Sequence, residues 1–509
     1  MIQSLRLRPD QVSALKGVPG VRKTSGGYWR VPLDLRLMYA LQVRRERPLA
    51  AVSRPPPRGL GSIAAHLRPS QCDDINFALD HEGALIAHPT SGGKTLIGLG
   101  VALAVGGPAL FCGPALSRWV WTREVEKWAP ERTLYVCRGR TPDPAALAHD
   151  WVFCNYEILK FWAPLFAEQM WEVHVLDEIH ELRSRRAQCA VAARMSRGIS
   201  VPLVLGLSAT PVWSKIPDLY NVLDLIRPGW FGSQSAFMER YAGAVPDLFG
   251  GLKVGRATNG KELRARLKYT MRRLDKATLL PDLPPLQRER HRIAHEIARQ
   301  RMTETLRALA RTDAAPDREL FLAFGRIARR ETYTKIEALA GLLEWAGTKR
   351  AIVLTELRES ARAARDVLTK AGWPTLGFDG ASSVSTRMKA VDRARAMDRV
   401  ALCCTAPSVR QSVDCTGFDA AWILEFPWTA EALLQEEGRV HRHGVDVPIT
   451  VHYVVLENTF DSHLCDMLLA KLDDRARAVG MDDLDGGLRD ALREPPDLKP
   501  MLARMGLGE

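Results

Sequence analysis

Two short stretches of this chain carry side chains whose types and spacing could do chemistry. The first is Ala87-His-Pro-Thr-Ser-Gly-Gly-Lys-Thr95, which follows an apolar run and precedes Leu-Ile-Gly-Leu. A strand, a glycine-bearing loop and a helix in that order turn backbone N–H groups towards phosphate oxygens, and the helix N-terminus adds positive potential. In such a loop Lys94 would reach the β- and γ-phosphates of a nucleotide, and the Thr95 hydroxyl would ligate Mg²⁺. Ser91, Gly92 and Gly93 would line the cradle. The general pattern has glycine six positions before the lysine, whereas His88 stands there in this chain. A Gly-Gly turn beside a surface lysine is the competing reading.

The second stretch is Val173-His-Val-Leu-Asp-Glu-Ile-His180, an apolar strand that ends in two acids and a histidine. Phosphoryl transfer needs one carboxylate on the metal and a base that orients water. Asp177 suits the first task and Glu178 the second. In parallel sheets, residues just past a strand's carboxyl end sit at the ligand crevice. Solvated acids at a strand end are common, but a phosphate loop upstream in the same unit makes that reading weaker here. His180 could couple the site to a neighbouring motif or simply be exposed.

These groups need elements to position them. Leu85–Ala87, Ala109–Cys112, Trp151–Cys154, Val173–Leu176 and Val204–Leu207 are apolar runs that alternate with helical patterns. That rhythm predicts a mostly parallel sheet covered by helices. A second series follows at Ala351–Thr355, Val400–Thr405, Ala421–Phe426 and Ile449–Val455. The expected layout is a small N-terminal α+β module over 1–52, a Pro-rich linker over 53–59 and a first α/β lobe over 60–285. Connecting helices over 286–335, a second lobe over 336–475 and a C-terminal tail over 476–509 complete it.

The composition is that of a globular protein: of 509 residues, 46% are hydrophobic and 26% charged, which excludes wholesale disorder and collagen-like repeats. Lys and Arg number 71 against 59 Asp and Glu, a net +12 that favours a polyanionic partner. No run of eighteen apolar residues occurs, so no membrane partner is expected, and MIQSLRLRPD lacks the apolar core of a secretory signal. Nine cysteines lie scattered without a C-x-x-C pair, and Cys403 and Cys404 are adjacent, which predicts reduced thiols in a cytoplasmic protein.

Further stretches carry a resemblance. Val204-Leu-Gly-Leu-Ser-Ala-Thr-Pro211 leads through Pro-Gly-Trp-Phe-Gly-Ser to Phe-Met-Glu-Arg-Tyr241. This resembles helicase superfamily 2, and within it the Swi/Snf-type ATPases, whose pattern is L-S-G/A-T-P, P-x-x-F-G-S and F-x-x-R-Y. Leu67-Arg-Pro-Ser-Gln71 is similar to the family's glutamine motif, and Phe111-Cys-Gly-Pro114 with Trp119 and Trp128 to motif Ia. Asn155-Tyr-Glu157 resembles motif Ib, and Met271-Arg-Arg-Leu-Asp-Lys276 with Leu283-Pro-Pro285 resembles R-R-x-K…L-P-P. Gln435-Glu-Glu-Gly-Arg-Val-His-Arg-His-Gly444 resembles motif VI, followed by Glu457-Asn-Thr459. The likeness covers roughly residues 60 to 470, in the family's order.

The resemblance implies an α/β fold of two tandem RecA-like domains, parallel sheets flanked by helices, that face each other across a cleft. It implies ATP and Mg²⁺ as cofactors and a DNA-dependent ATPase, a helicase or translocase that acts on DNA rather than RNA, as a monomer. Arg68 and Gln71 would meet the base, Thr95 and Asp177 the metal. Arg439 and Arg442, three apart on one helix, would act as arginine fingers, with Gln435 one turn earlier on the same face. Translocation or annealing without strand separation is an alternative within the class. A scaffold that has lost hydrolysis and a P-loop enzyme acting on a small molecule are rivals from other classes.

The chain also departs from the pattern. Motif V, usually glycine-rich, reads Ala406-Pro-Ser-Val-Arg-Gln-Ser-Val-Asp414, and His88 stands where the family has Asp. Duplex contacts are mainly to phosphate. Arg183, Arg185 and Arg186 after motif II, with Thr405, Arg410 and Gln411, are the candidate nucleic-acid contacts. Arg264, Arg266, Lys268, Arg272 and Arg273 could equally be solvated faces. Most of the thirteen tryptophans should pack in the core, with Trp119, Trp121 or Trp128 near the nucleic-acid track. Leu15–Arg22 and Tyr28–Pro32 faintly resemble the substrate-recognition module of annealing-helicase relatives.

Overall fold

A computed structural model describes residues 57–81, 83–197, 203–209, 216–246, 252–255, 257–293, 332–410, 413–442, 444–457, 459, 461–462 and 464–470, and the backbone of three N-terminal strands. Those strands, β1 (Ile2–Leu5), β2 (Arg22–Lys23) and β3 (Trp29–Pro32), form an antiparallel sheet in the order β1-β3-β2. The Leu15–Arg22 segment lies outside the described residues except for Arg22. The rest of the chain divides into two units that part between Leu279 and Leu280.

Unit 1 is built on seven parallel strands: β4 (Gly83–Ile86), β5 (Ala109–Gly113), β6 (Leu134–Val136), β7 (Trp151–Asn155), β8 (Val173–Asp177), β9 (Leu203–Leu207) and, after a small hairpin of β10 (Val245–Pro246) with β11 (Leu252–Lys253), β12 (Met271–Arg272). Their order is β12-β4-β9-β8-β5-β7-β6. The sheet is covered on both faces, so its strands read as continuous apolar runs. Every residue of β4, β5, β7 and β9 is buried. The order puts β4 and β8 on either side of β9, so the phosphate loop and the two acids emerge from the same edge of the sheet.

Three helices matter for the site: α1 (Pro69–Asp80), α2 (Lys94–Val105) and α3 (Ser117–Trp128). Helix α2 is apolar because it packs into the core with Ile97, Leu99 and Val101 fully buried. Its Gly98 is a close-approach residue. A Cβ there would stand 2.7 Å from the ring of Trp121 on α3, so the glycine lets the indole approach the helix closely.

Unit 2 holds six parallel strands: β13 (Leu286–Ile293), β14 (Arg350–Thr355), β15 (Thr375–Phe378), β16 (Val400–Thr405), β17 (Ala420–Ile423) and β18 (Ile449–Leu456), ordered β13-β18-β17-β14-β16-β15. Alternation sorts its residues onto two faces. Ile352, Leu354, Leu402 and Cys404 pack on one, Ala351, Val353, Ala401 and Cys403 on the other. Cys403 and Cys404 therefore point apart, and all nine cysteines are free. Eight are buried; Cys189, on the helix Gln188–Met195, is only partly so.

The first part of the expected connecting helices is a strand instead. Leu286-Gln-Arg-Glu-Arg-His-Arg-Ile293 pairs along its full length with β18 as the edge of the sheet. Charged residues suit an edge strand, because they discourage pairing with another chain. Helix 332–345 follows and buries Ile336, Leu339 and Leu343 against the sheet. No described helix is long and apolar enough to cross a membrane.

Five tryptophans, at 121, 151, 162, 171 and 422, are fully buried, as the core reading expects. Helix 332–345 is tied down by a buried ion pair: Lys335 Nζ lies 2.6 Å from Asp461 Oδ2 and also donates to the Leu424 carbonyl. Removing one partner of such a pair strands the other charge. Lys335→Met should lower the unfolding free energy of the chain by about 3–5 kcal/mol in a urea titration, far more than a neutral surface change would.

Candidate functional site

The loop between β4 and α2 is shaped by its own glycines and by groups folded over it. Gly93 caps α2 at φ 75°, and Ser91 also sits in the left-handed region at φ 67°. A Cβ on Gly93 would meet Gln71 Nε2 at 2.3 Å and Arg68 Nη2 at 3.0 Å, so only glycine fits under those side chains. Gln71 is held at the start of α1, where its Oε1 accepts from the Arg68 N–H at 2.9 Å. Its Nε2 donates to Gly93 O, and Arg68 Nη2 donates to Gly92 O at 2.9 Å. Arg68 and Gln71 thus lie directly against the predicted phosphate cradle. Lys94 Nζ donates to the carbonyls of His88 and Pro89 at 3.0 and 3.1 Å, curled over the loop it begins.

His88, the residue that breaks the sequence pattern, is fully buried and anchors the loop. Its Nδ1 accepts from the Leu274 N–H at 3.1 Å, so its proton sits on Nε2, which donates a hydrogen bond to Asp74 Oδ2 at 2.7 Å. Burial lowers the imidazole's pKa and keeps the ring neutral. Asp74, also fully buried, takes a second hydrogen bond from Arg272 Nε on β12. Arg273 donates to the carbonyls of Ala87 and Ala209. Arg272 and Arg273 are therefore internal fasteners rather than a solvated face. Arg266 is likewise buried, donating to Tyr241 and Trp230.

At the end of β8, Asp177 Oδ2 accepts from Trp121 Nε1 at 3.1 Å and its Oδ1 from the Glu178 N–H at 3.0 Å. Tyr156 OH donates to the Asp177 carbonyl at 2.7 Å. Glu178 takes a left-handed backbone at φ 47°, a conformation that costs a non-glycine residue energy and recurs at functional sites. His180 is buried rather than exposed. Its Nδ1 lies 3.0 Å from Ser208 Oγ, in the Leu-Ser-Ala-Thr-Pro stretch, and 3.2 Å from Glu178 Oε2. It therefore links the acid pair to the next motif, the first of the two readings the sequence allowed. Thr210 and Pro211 of that motif lie outside the described residues.

Two observations fit a nucleotide with a divalent metal here. The Ser91 hydroxyl oxygen is buried without a hydrogen-bond partner among the described residues, beside a cradle that a single Cβ would block. Asp177 offers a hard oxygen donor near a cation: burial, then the Glu178 charge, push its pKa up to about 6, while Trp121, Ser117 and Lys94 oppose the rise. Thr95 lies in the first turn of α2 beside Lys94.

In unit 2, Gln435 and Arg439 lie on the helix Ala430–Val440, four residues apart on one face. Arg442 does not share it. The helix ends at Val440, and His441, in extended conformation with its Nε2 on the Pro284 carbonyl at 2.6 Å, leads the chain away. Arg439 Nη2 donates to the Arg410 carbonyl at 2.5 Å. Arg410, expected to meet nucleic acid, is instead spanned by carboxylates: Nη2 lies 3.2 Å from Glu356 and Nη1 3.1 Å from the fully buried Glu436. Thr405 is buried at the end of β16 and is no surface contact. Gln411 lies outside the described residues. The first five residues of the glycine-free motif V, Ala406–Arg410, form a short helix, and none of the motif's described residues has a positive φ that would call for glycine. Of the expected basic track, Arg185 and Arg186 are exposed, while Arg183 is half-buried and donates to the His180 carbonyl.

Sequence reasoning missed Trp121 and Tyr156 as groups that orient Asp177, and Asp74 as the anchor of the loop. Trp121 was visible only as one of three tryptophans after motif Ia. Because the Asp177 pKa is raised, its ionisation costs the fold: the contribution is present below the unfolded value near 3.8 and lost as pH rises through about 6. A metal ion held by Asp177 would need the ionised form, so binding of Mg²⁺-nucleotide should weaken as pH falls through about 6. Trp121→Phe removes a donor that favours the carboxylate, and should move this acid limb to higher pH in calorimetric titrations. An unmoved limb would disconnect the indole from the Asp177 carboxylate.

Comparison with known proteins places the chain. A sequence profile of the SNF2-related domain matches residues 35–311, and one of the helicase conserved C-terminal domain matches residues 334–444. The chain is 26% identical over 428 residues to the SWI/SNF-related matrix-associated actin-dependent regulator of chromatin subfamily A-like protein 1 of Xenopus tropicalis, covering 81% of this chain and 44% of that protein. It is 25% identical over 440 residues to the DNA annealing helicase and endonuclease ZRANB3 of Homo sapiens, covering 80% of this chain and 40% of that protein. It therefore spans less than half the length of these relatives. With a domain profile that runs over more than half of its residues, the chain belongs to the SNF2-related family.

Proposed function

We propose that this protein is an ATP-dependent motor that acts on DNA. The observation that carries the reading is the meeting of two chemistries at one sheet edge. Lys94 opens the helix after the phosphate loop, and its charge is felt by Asp177 at the end of β8, next to Glu178. Lys94 and the loop N–H groups would hold the β- and γ-phosphates of ATP, with Arg68 and Gln71 on the base side. Thr95 and Asp177 would hold Mg²⁺, which neutralises charge on the phosphate oxygens. Glu178 accepts a proton from the attacking water as its oxygen bonds to the γ-phosphorus and ADP leaves. We assign Arg439 and Arg442 the task of stabilising the charge that develops on the transferring group, with Gln435 one turn before Arg439 on its helix.

The net +12 suits a phosphate backbone, and exposed Arg185 and Arg186 lie just past the acid pair. The relative described as an annealing helicase favours a second reading within the class, in which the motor moves on duplex DNA or rejoins strands without separating them. Strand-displacement and strand-annealing assays run side by side distinguish the two.

Lys94→Ala and Glu178→Gln should each abolish DNA-stimulated ATP hydrolysis, a loss of about a hundredfold or more, with the circular-dichroism melt little changed. Near-normal turnover in either variant would overturn the site assignment. Wild-type hydrolysis that no polynucleotide stimulates would overturn the choice of DNA.

A further inference from the structure

We propose that Glu289, His291 and His452, at the edge of the unit 2 sheet, form a binding site for a divalent transition-metal ion of the zinc type. The site is separate from the nucleotide loop, lies wholly within unit 2 and does not depend on the proposed function.

The backbone register builds it. Glu289 on β13 pairs with His452 on β18, and His452 pairs with Trp422 on β17, so the three stand in a row on one face of the sheet. His291 lies two residues beyond Glu289 on the edge strand and returns to that face. The ligand atoms converge. His291 Nε2 is 2.8 Å from His452 Nδ1, His452 Nδ1 is 3.3 Å from Glu289 Oε2, and His291 Nε2 is 3.9 Å from the same oxygen. An ion bound tetrahedrally at about 2.0–2.2 Å requires its donor atoms to be about 3.3 Å apart. One separation already matches and the other two lie about half an ångström to either side, so shifts of that size at those two would seat the ion.

The surroundings hold the rings in place. The His452 imidazole stacks on Trp422 with centroids 3.9 Å apart and planes at 16°, and His291 stacks on the same indole at 5.2 Å and 19°. Trp345, near the end of helix 332–345, meets His291 edge-on at 5.7 Å. Burial lowers the pKa of both imidazoles, His452 to about 3, so both rings are neutral and neither has to give up a net proton to ligate at physiological pH. Two neutral imidazoles and one carboxylate are a donor set that zinc accepts, with water in a fourth position. Glu289, whose side chain is 48% exposed, leaves the site open towards solvent. In the present hydrogen bond one of these two nitrogens carries the proton and the other accepts it, so binding an ion would shift the donor ring to its other neutral tautomer and free both lone pairs. The bound ion would fasten β13, the first strand after the boundary between the units, to its neighbour.

The test uses the whole chain, stripped with a chelator and titrated with Co²⁺ in excess Mg²⁺ without nucleotide. One equivalent of Co²⁺ should bind and give the visible absorption of a four- or five-coordinate ion, which Zn²⁺ then displaces. Zn²⁺ should also raise the melting temperature of the wild type. Glu289→Gln alters an exposed group and leaves the strand's packing intact; it should weaken uptake by more than about a hundredfold, the upper end of what losing an outer-shell partner costs. His291→Ala should do the same. The proposal falls if the wild type takes up no stoichiometric ion, or if Glu289→Gln binds Co²⁺ and gains stability from Zn²⁺ as the wild type does.

Discussion

A carboxylate with no access to water holds the chemical end of unit 1 together. Asp74 sits on α1 and accepts hydrogen bonds from His88 Nε2 of the phosphate loop and from Arg272 Nε of β12. An ionised group in that position is tolerable only because a cation and a hydrogen-bond donor are both supplied. The same arrangement joins three segments that are far apart in sequence. It fixes where the loop leaves β4, and so where Lys94 begins its helix. Everything the loop can do with a phosphate depends on that starting point. The residue that spoils the sequence motif is thus the one that secures the loop.

Much of this was legible beforehand. The apolar runs at 109–112, 151–154, 173–176, 351–355 and 400–405 became strands within a residue or two, because strands buried on both faces have little freedom in composition. The loop and the acid pair stood out because glycine, lysine and adjacent carboxylates at strand ends are needed for phosphate chemistry whatever surrounds them. β13 was hidden for the opposite reason. Its eight residues include five that are charged or histidine, and its pattern reads as a solvated helix until a neighbouring strand is known. The partners of Asp177 were hidden too. An indole that packs against Gly98 and also bonds a carboxylate looks, in sequence, like any core tryptophan.

Unit 2 shows how a charged motif can be mostly internal. Glu436 and Glu437 follow Gln435 and look like a solvated helical face. Both are buried, one against Arg410 and the other against Arg288 and Tyr453. Arg410 in turn reaches Glu356. Because Arg439 bonds the backbone of Arg410, its position is set by a network that runs through motif V to the end of β14. The glycine-free start of motif V is consistent with this: Ala406–Arg410 is a short helix braced by the ion pairs of Arg410. The position of Arg439 is then tied to the packing of largely buried acids.

The distribution of thiols has a practical consequence. Cys189 is the one sulfhydryl of nine that is not buried, and it stands just after exposed Arg185 and Arg186. A maleimide dye added to the native chain would be directed to that single position, since the other eight sulfur atoms are screened by packing. A spectroscopic reporter could thus be placed beside the basic segment without changing a single residue.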